Sequence, residues 1–142
     1  MFMNKRLLKR IYFSQFLNPA ILLVRVWIGI VMLRYSTQYL FGGKVHELAS
    51  FLEGLHWPMP LQMAYLSQIT ELIASILILL GVRLGAYMLA FTMLMAVLFA
   101  HNALIFTEAE TPFSFLMFAM MLCLTGMGKP SLDNSLFMPK QD

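Results

Sequence analysis

Apolar residues run through this chain in four long blocks, interrupted by short stretches that carry charge, glycine or proline. A run of about 20 apolar residues, rising about 1.5 Å per residue, crosses a hydrocarbon core of about 30 Å. The blocks predict spans over about 19–41, 60–81, 85–106 and 112–127. Asn18 and Pro19 supply an N-cap and a proline at the first helical position, and Gly42-Gly43 ends the first span. The segment from Lys44 to Pro60 is too polar to span. Within it Val45, Leu48, Leu52 and Leu55 recur at helical spacing with Trp57 close behind, which predicts a short amphipathic helix at the far interface. Trp57-Pro58-Met59-Pro60 turns the chain into the second span. Gly81-Val82-Arg83-Leu84 is so short a connection that the third span should return antiparallel against the second.

Ahead of the first span, residues 2–17 sort at about 100° per residue into a basic arc of Lys5, Arg6, Lys9 and Arg10 and an apolar arc of Leu7, Leu8, Ile11 and Tyr12. That pattern predicts an interfacial helix facing anionic headgroups. It begins like a signal peptide. The following apolar segment, however, is long, contains two arginines and lacks a small-residue cleavage site, so it reads as uncleaved. The expected fold is therefore all-α: a polytopic membrane protein, an antiparallel four-transmembrane-helix bundle with an N-terminal interfacial helix and a short amphipathic helix after the first span. Residues 1–17 form the interfacial segment, 18–128 the transmembrane domain and 129–142 a cytoplasmic tail, polar and punctuated by glycine and proline.

Composition agrees with the pattern. Of 142 residues 60% are hydrophobic and 12% charged, with mean hydropathy +0.75, far more apolar than a soluble domain of this length needs. A net charge of +3 would fit a nucleic-acid binder, but most of the basic residues flank apolar runs. Lys5, Arg6, Lys9, Arg10, Arg83, Lys129 and Lys140 fall on one side, whereas Lys44 accompanies Glu47, Glu53, Glu108 and Glu110 on the other. The positive-inside rule then puts both termini in the cytoplasm. The single cysteine, Cys123, excludes an internal disulfide and a CxxC pair, so electron transfer would need another protein or a cofactor. The 13 methionines read as adaptable core packing rather than a copper site, and no metal is expected.

One ionisable residue, Glu71, stands near the middle of the second span. A carboxylate at that depth needs a partner or a function. Ala64, Ser67, Gln68, Glu71, Ala74 and Ser75 share one face at spacings of three and four, the mark of a packing face inside a bundle. Counting along the helices places Glu71 about 14 Å, Arg25 about 8 Å and Arg34 about 22 Å above the cytoplasmic boundary. Either arginine could reach the carboxylate, yet the two point to roughly opposite faces of one helix. Depth favours Arg34, accompanied by Tyr35 and Gln38, because Arg25 can snorkel to nearby headgroups. The competing set is Arg25, Gly29 and Ser36. His101, beside Asn102 in the outer third of the third span, could relay protons, bind an anionic or quinone headgroup, or simply hydrogen-bond within the bundle.

Taken together these residues resemble the DoxX family of small four-helix bacterial membrane proteins. LLVRVWIGIVML resembles the family's first-helix arginine and glycine pattern. ELIASILILLGVRLGAYML resembles its glutamate followed by a leucine-rich run, glycine and arginine. His101 matches a histidine near the end of the third helix, and GMGKPSLD resembles the glycine-rich exit. The resemblance covers about Leu22 to Leu136. It brings Arg25, Gly29, Glu71, Gly81, Arg83, His101, Gly126, Gly128, Ser131 and Asp133 together as candidates and favours Arg25 over Arg34. Tyr39 departs from it, standing where relatives often carry lysine.

Some members of the family form or resemble the membrane subunit of thiosulfate:quinone oxidoreductase, and others are linked to redox-stress complexes. The resemblance thus implies a component of a redox system in the bacterial inner membrane, assisting quinone binding or docking a partner oxidoreductase, with self-association also open. A proton-coupled exporter and a non-enzymatic scaffold remain the alternatives. The sequence carries no self-contained redox motif and leaves enzymatic activity undecided.

Overall fold

The computed structural model describes residues 5–137, with side chains from 16 to 136. The side-chain arcs expected at Lys5, Arg6, Lys9 and Arg10, and Lys140 in the tail, lie outside the described residues. Every regular element among the described residues is a helix: α1 (Lys5–Phe41), α2 (Val45–Gly54), α3 (Pro60–Leu80), α4 (Arg83–Met95), α5 (Glu110–Thr125) and α6 (Leu132–Phe137). A five-residue π-helical turn, Ala96–Ala100, prolongs α4.

Three helical stretches are long and apolar enough to cross a membrane: Phe16–Phe41, Pro60–Leu80 and Arg83–Ala100. The 16-residue α5 is apolar but shorter. Large apolar side chains such as Leu23, Trp27, Phe91 and Leu124 point outward. In a membrane that outer surface is covered by lipid, so packing between helices rests on close contact rather than on escape from water.

The first helix does not begin at Asn18-Pro19 as its capping signal predicts. It runs through Pro19 without a break. Proline removes one N–H and crowds the carbonyl four residues earlier, a local cost of about 3 kcal/mol. The third span is also shorter than its apolar pattern suggests, because the helix ends at Ala100 instead of continuing to Phe106. Asn102 and Ala103 adopt φ of 49° and 57° and reverse the chain, which leaves Leu104 and Phe106 exposed in a turn. Hydropathy reports what a residue prefers to touch and not where the backbone bends.

α3 is the hub. It packs against α1, α2 and α4, while α5 lies against α4 and also meets α1. Ile28, Ile78, Leu89 and Leu122 fill the centre of the core. Small residues allow the close approach: a Cβ added at Gly85 would stand 2.7 Å from the Ala74 carbonyl oxygen, and one at Gly29 would stand 2.6 Å from the Leu79 side chain. α2 buries Val45, Ala49 and Leu52 with Ala64 of α3 beneath them, so its amphipathic face is turned onto the bundle.

Candidate functional site

The polar face of α3 is buried, with Ala64, Gln68, Glu71, Ala74 and Ser75 all inside. Glu71 is 9% exposed and Gln68 6%. The two lie one turn apart on the same buried face. No arginine reaches that carboxylate among the described residues. Arg34 lies on the exposed face of α1, and Arg25 is engaged elsewhere. The question of which arginine neutralises Glu71 resolves to neither.

Two cavities meet at this polar group. The larger, about 330 Å³, lies between α2, α3 and α4 and is bounded by Phe51, Trp57, Gln68, Glu71, Thr92 and His101. The smaller, about 170 Å³, lies on the α1 and α5 side and adds Tyr35, Tyr39 and Phe115 to the same Gln68, Glu71 and His101. Those three polar side chains therefore form a partition between the cavities. The rim of the larger one includes Phe51, Leu66 and Phe91, all of them exposed, which makes it reachable sideways from the hydrocarbon.

The π turn builds one wall. The His101 N–H bonds to the Ala96 carbonyl five residues back at 3.1 Å, and Ala96 and His101 both line the two cavities. Such wide turns recur at functional sites because they redirect one side chain out of helical register. The His101 ring packs on Phe51 at 5.8 Å, and Trp57 meets Phe99 edge to face at 6.2 Å. Both contacts tie the region around α2 to the end of α4. The sequence had singled out Gln68, Glu71 and His101, and Tyr35 as a neighbour of Arg34, but it carried no signal for Phe51 or Thr92, whose places follow from the π turn and from how α2 folds back.

Seven of the remaining candidates gather at the other end of the bundle, while Gly29 packs against Leu79 between α1 and α3. Arg25 sends Nη1 to the Met127 carbonyl and Nη2 to the Pro130 carbonyl, both at 2.7 Å. Asp133 accepts the Arg83 backbone N–H at 2.7 Å. Asn134 donates its amide to the Gly128 carbonyl, and its N–H meets the Ser131 hydroxyl. Gly81 closes α3 in the left-handed region at φ 80°, with the Val82 N–H returning to the Leu77 carbonyl at 2.8 Å. A side chain at Gly81 would meet Ser131 and Arg25, and one at Gly126 would meet the Arg83 guanidinium. Arg25, Gly81, Arg83, Gly126, Gly128, Ser131 and Asp133 thus form a clasp on the segment that follows α5. This segment docks on the bundle through residue 134, and Arg25 supplies donors to two of its carbonyls.

A family model described as DoxX matches residues 20–102, more than half of the chain and the stretch that holds Gln68, Glu71 and His101. No curated protein and no solved structure matches it.

Proposed function

The chain belongs to the DoxX family, and on that premise we propose that it is the membrane component of a redox system, binding a quinone-type headgroup in the cavity beside Glu71. In this reading α1, α3, α4 and α5 cross the inner membrane of a bacterium as an antiparallel bundle with both termini in the cytoplasm. The basic residues at the N-terminus and Arg83 support that orientation.

The observation that carries the reading is the character of the larger cavity. Its volume of about 330 Å³ falls within the roughly 300–1,000 Å³ of small-molecule pockets. The walls are apolar and aromatic, the rim faces lipid, and the polar groups converge at the inner end. A lipid-soluble ring with polar substituents fits that distribution. The Gln68 carbonyl oxygen has no hydrogen-bond partner, and a buried polar atom of this kind is satisfied when a ligand arrives. A packing role for Glu71 would call for a cationic partner, and Arg25 serves the clasp instead. A bound quinone supplies two-electron chemistry. With one cysteine in the chain there is no internal dithiol, so electrons are exchanged with a partner oxidoreductase.

Tryptophan fluorescence tests this. The chain has two tryptophans, and Trp27 is 63% exposed on the outer surface, so Trp27→Phe leaves Trp57 as the reporter at the cavity. Titration of a short-chain benzoquinone into the protein in nanodiscs should give saturable quenching, weakened about tenfold by His101→Ala. Quenching that rises linearly and is unchanged in the variant would defeat the proposal.

A further inference from the structure

We propose that the α2, α3 and α4 cavity selects the reduced, hydroxyl-bearing form of an aromatic headgroup over the oxidised, carbonyl-bearing form. The inference rests on the quinone-type reading above and goes beyond it by naming the redox state the cavity prefers.

The ground is an inventory of hydrogen-bonding capacity. Ser67 donates its hydroxyl proton to the Ala64 carbonyl at 3.0 Å, Thr70 to the Leu66 carbonyl at 2.7 Å and Thr92 to the Met88 carbonyl at 2.8 Å. In this arrangement each hydroxyl proton is engaged with the backbone, and lone pairs are what these groups present to the cavity. The Gln68 carbonyl oxygen is buried without a donor. The Glu71 carboxyl brings two more oxygens to the same cavity. All five side chains line the larger cavity.

Donors are fewer and sit toward the aromatic wall. They are the ring N–H groups of His101 and Trp57, which stand in contact with Phe51 and Phe99. The inner end of the cavity is thus rich in acceptors. A quinone carbonyl placed there sets oxygen against oxygen and leaves Gln68 unsatisfied. A dihydroxy ring turns an O–H toward the same atom and satisfies it. Sites built around a buried polar group discriminate strongly against the analogue that lacks its partner.

Binding of one benzoquinone with a single isoprene unit, in its oxidised and its reduced form under argon, tests the inference. The full chain is held in phospholipid nanodiscs, and calorimetric heats from empty nanodiscs are subtracted. The reduced form should bind about tenfold more tightly or better. Gln68→Met, similar in shape and without the acceptor, should bring the two affinities close together. His101→Ala removes a donor and should widen the ratio. If Gln68→Met does not fold, Thr92→Val should lower affinity for the reduced form in its place. An oxidised form that binds as tightly as the reduced one overturns the inference and leaves the quinone reading intact. Failure of both forms to bind overturns that reading and the inference with it.

Discussion

Arg25 and Met127, 102 positions apart in the chain, are joined by a 2.7 Å hydrogen bond from the guanidinium to a backbone carbonyl. A second donor of the same fork reaches the Pro130 carbonyl. A buried cation in a membrane helix invites pairing with the nearest buried anion. Here the backbone of the segment after α5 has taken it, and Glu71 is left to the cavities. This division separates the buried polar groups into one set that fastens the fold and one that faces open space.

Removing the clasp should therefore weaken the fold without touching the cavity. Arg25→Gln loses hydrogen bonds from a charged group worth about 1.5–3 kcal/mol each. Thermal unfolding in detergent should show a lower midpoint, and limited proteolysis should cut sooner between residues 126 and 137. Arg25→Lys should not restore either property, because a single ammonium lacks the planar fork that spans two carbonyls. An unchanged midpoint in Arg25→Gln would mean that the segment is held by other contacts.

Gly81 tests the same region through the backbone. Its φ is 80°, and a Cβ there would lie 2.6 Å from the Ser131 Cβ and 2.8 Å from Arg25 Nη1. Gly43 has a similar φ of 77° with nothing within 4 Å. An alanine at either site meets the left-handed penalty of about 1–2 kcal/mol, and Gly81→Ala adds the displacement of the clasp. The midpoint of Gly81→Ala should fall clearly below that of Gly43→Ala. Equal midpoints would show that the Ser131 loop moves aside freely.

The helical content and the buried face of α3 were legible in the sequence because both depend on local periodicity. Gln68 and Glu71 fall inside by spacing alone. The role of Arg25 was not legible in that way. Its partners are backbone carbonyls of Met127 and Pro130, which carry no side-chain signal and come near only once the chain has passed through α5. Family resemblance favoured Arg25 over Arg34, yet for a pairing that the structure does not contain. The depth argument for Arg34 treated height in the membrane as decisive, whereas rotation about α1 turns it outward. The π turn was equally hidden, since AVLFA reads as ordinary apolar helix until the His101 N–H is seen to reach back five residues.

Arg34→Gln should accordingly be mild. The side chain is exposed and makes no ion pair with Glu71, so stability should change by no more than about 0.5 kcal/mol, as surface substitutions do. Quinone quenching of Trp57 should keep its midpoint. A large drop in folded yield would mean that Arg34 holds a contact outside the described residues, such as a lipid headgroup or a second copy of the chain.

Glu71→Gln draws the sharpest line between a site and a packing device. Taking one partner out of a buried ion pair destabilises by about 3–5 kcal/mol, because a charge is left behind. Glu71 has no such partner among the described residues, and its burial is a desolvation cost. Glutamine keeps the shape and removes the charge, so the variant should unfold at the same temperature as the native chain or a higher one. Binding should respond in the opposite sense, since the amide replaces one acceptor facing the cavity with a donor. Affinity for a reduced headgroup should drop about tenfold, the equivalent of one hydrogen bond of about 1.4 kcal/mol. Unfolding and binding measured on the same preparation decide the matter: a lower midpoint with unaltered affinity would make Glu71 a packing residue.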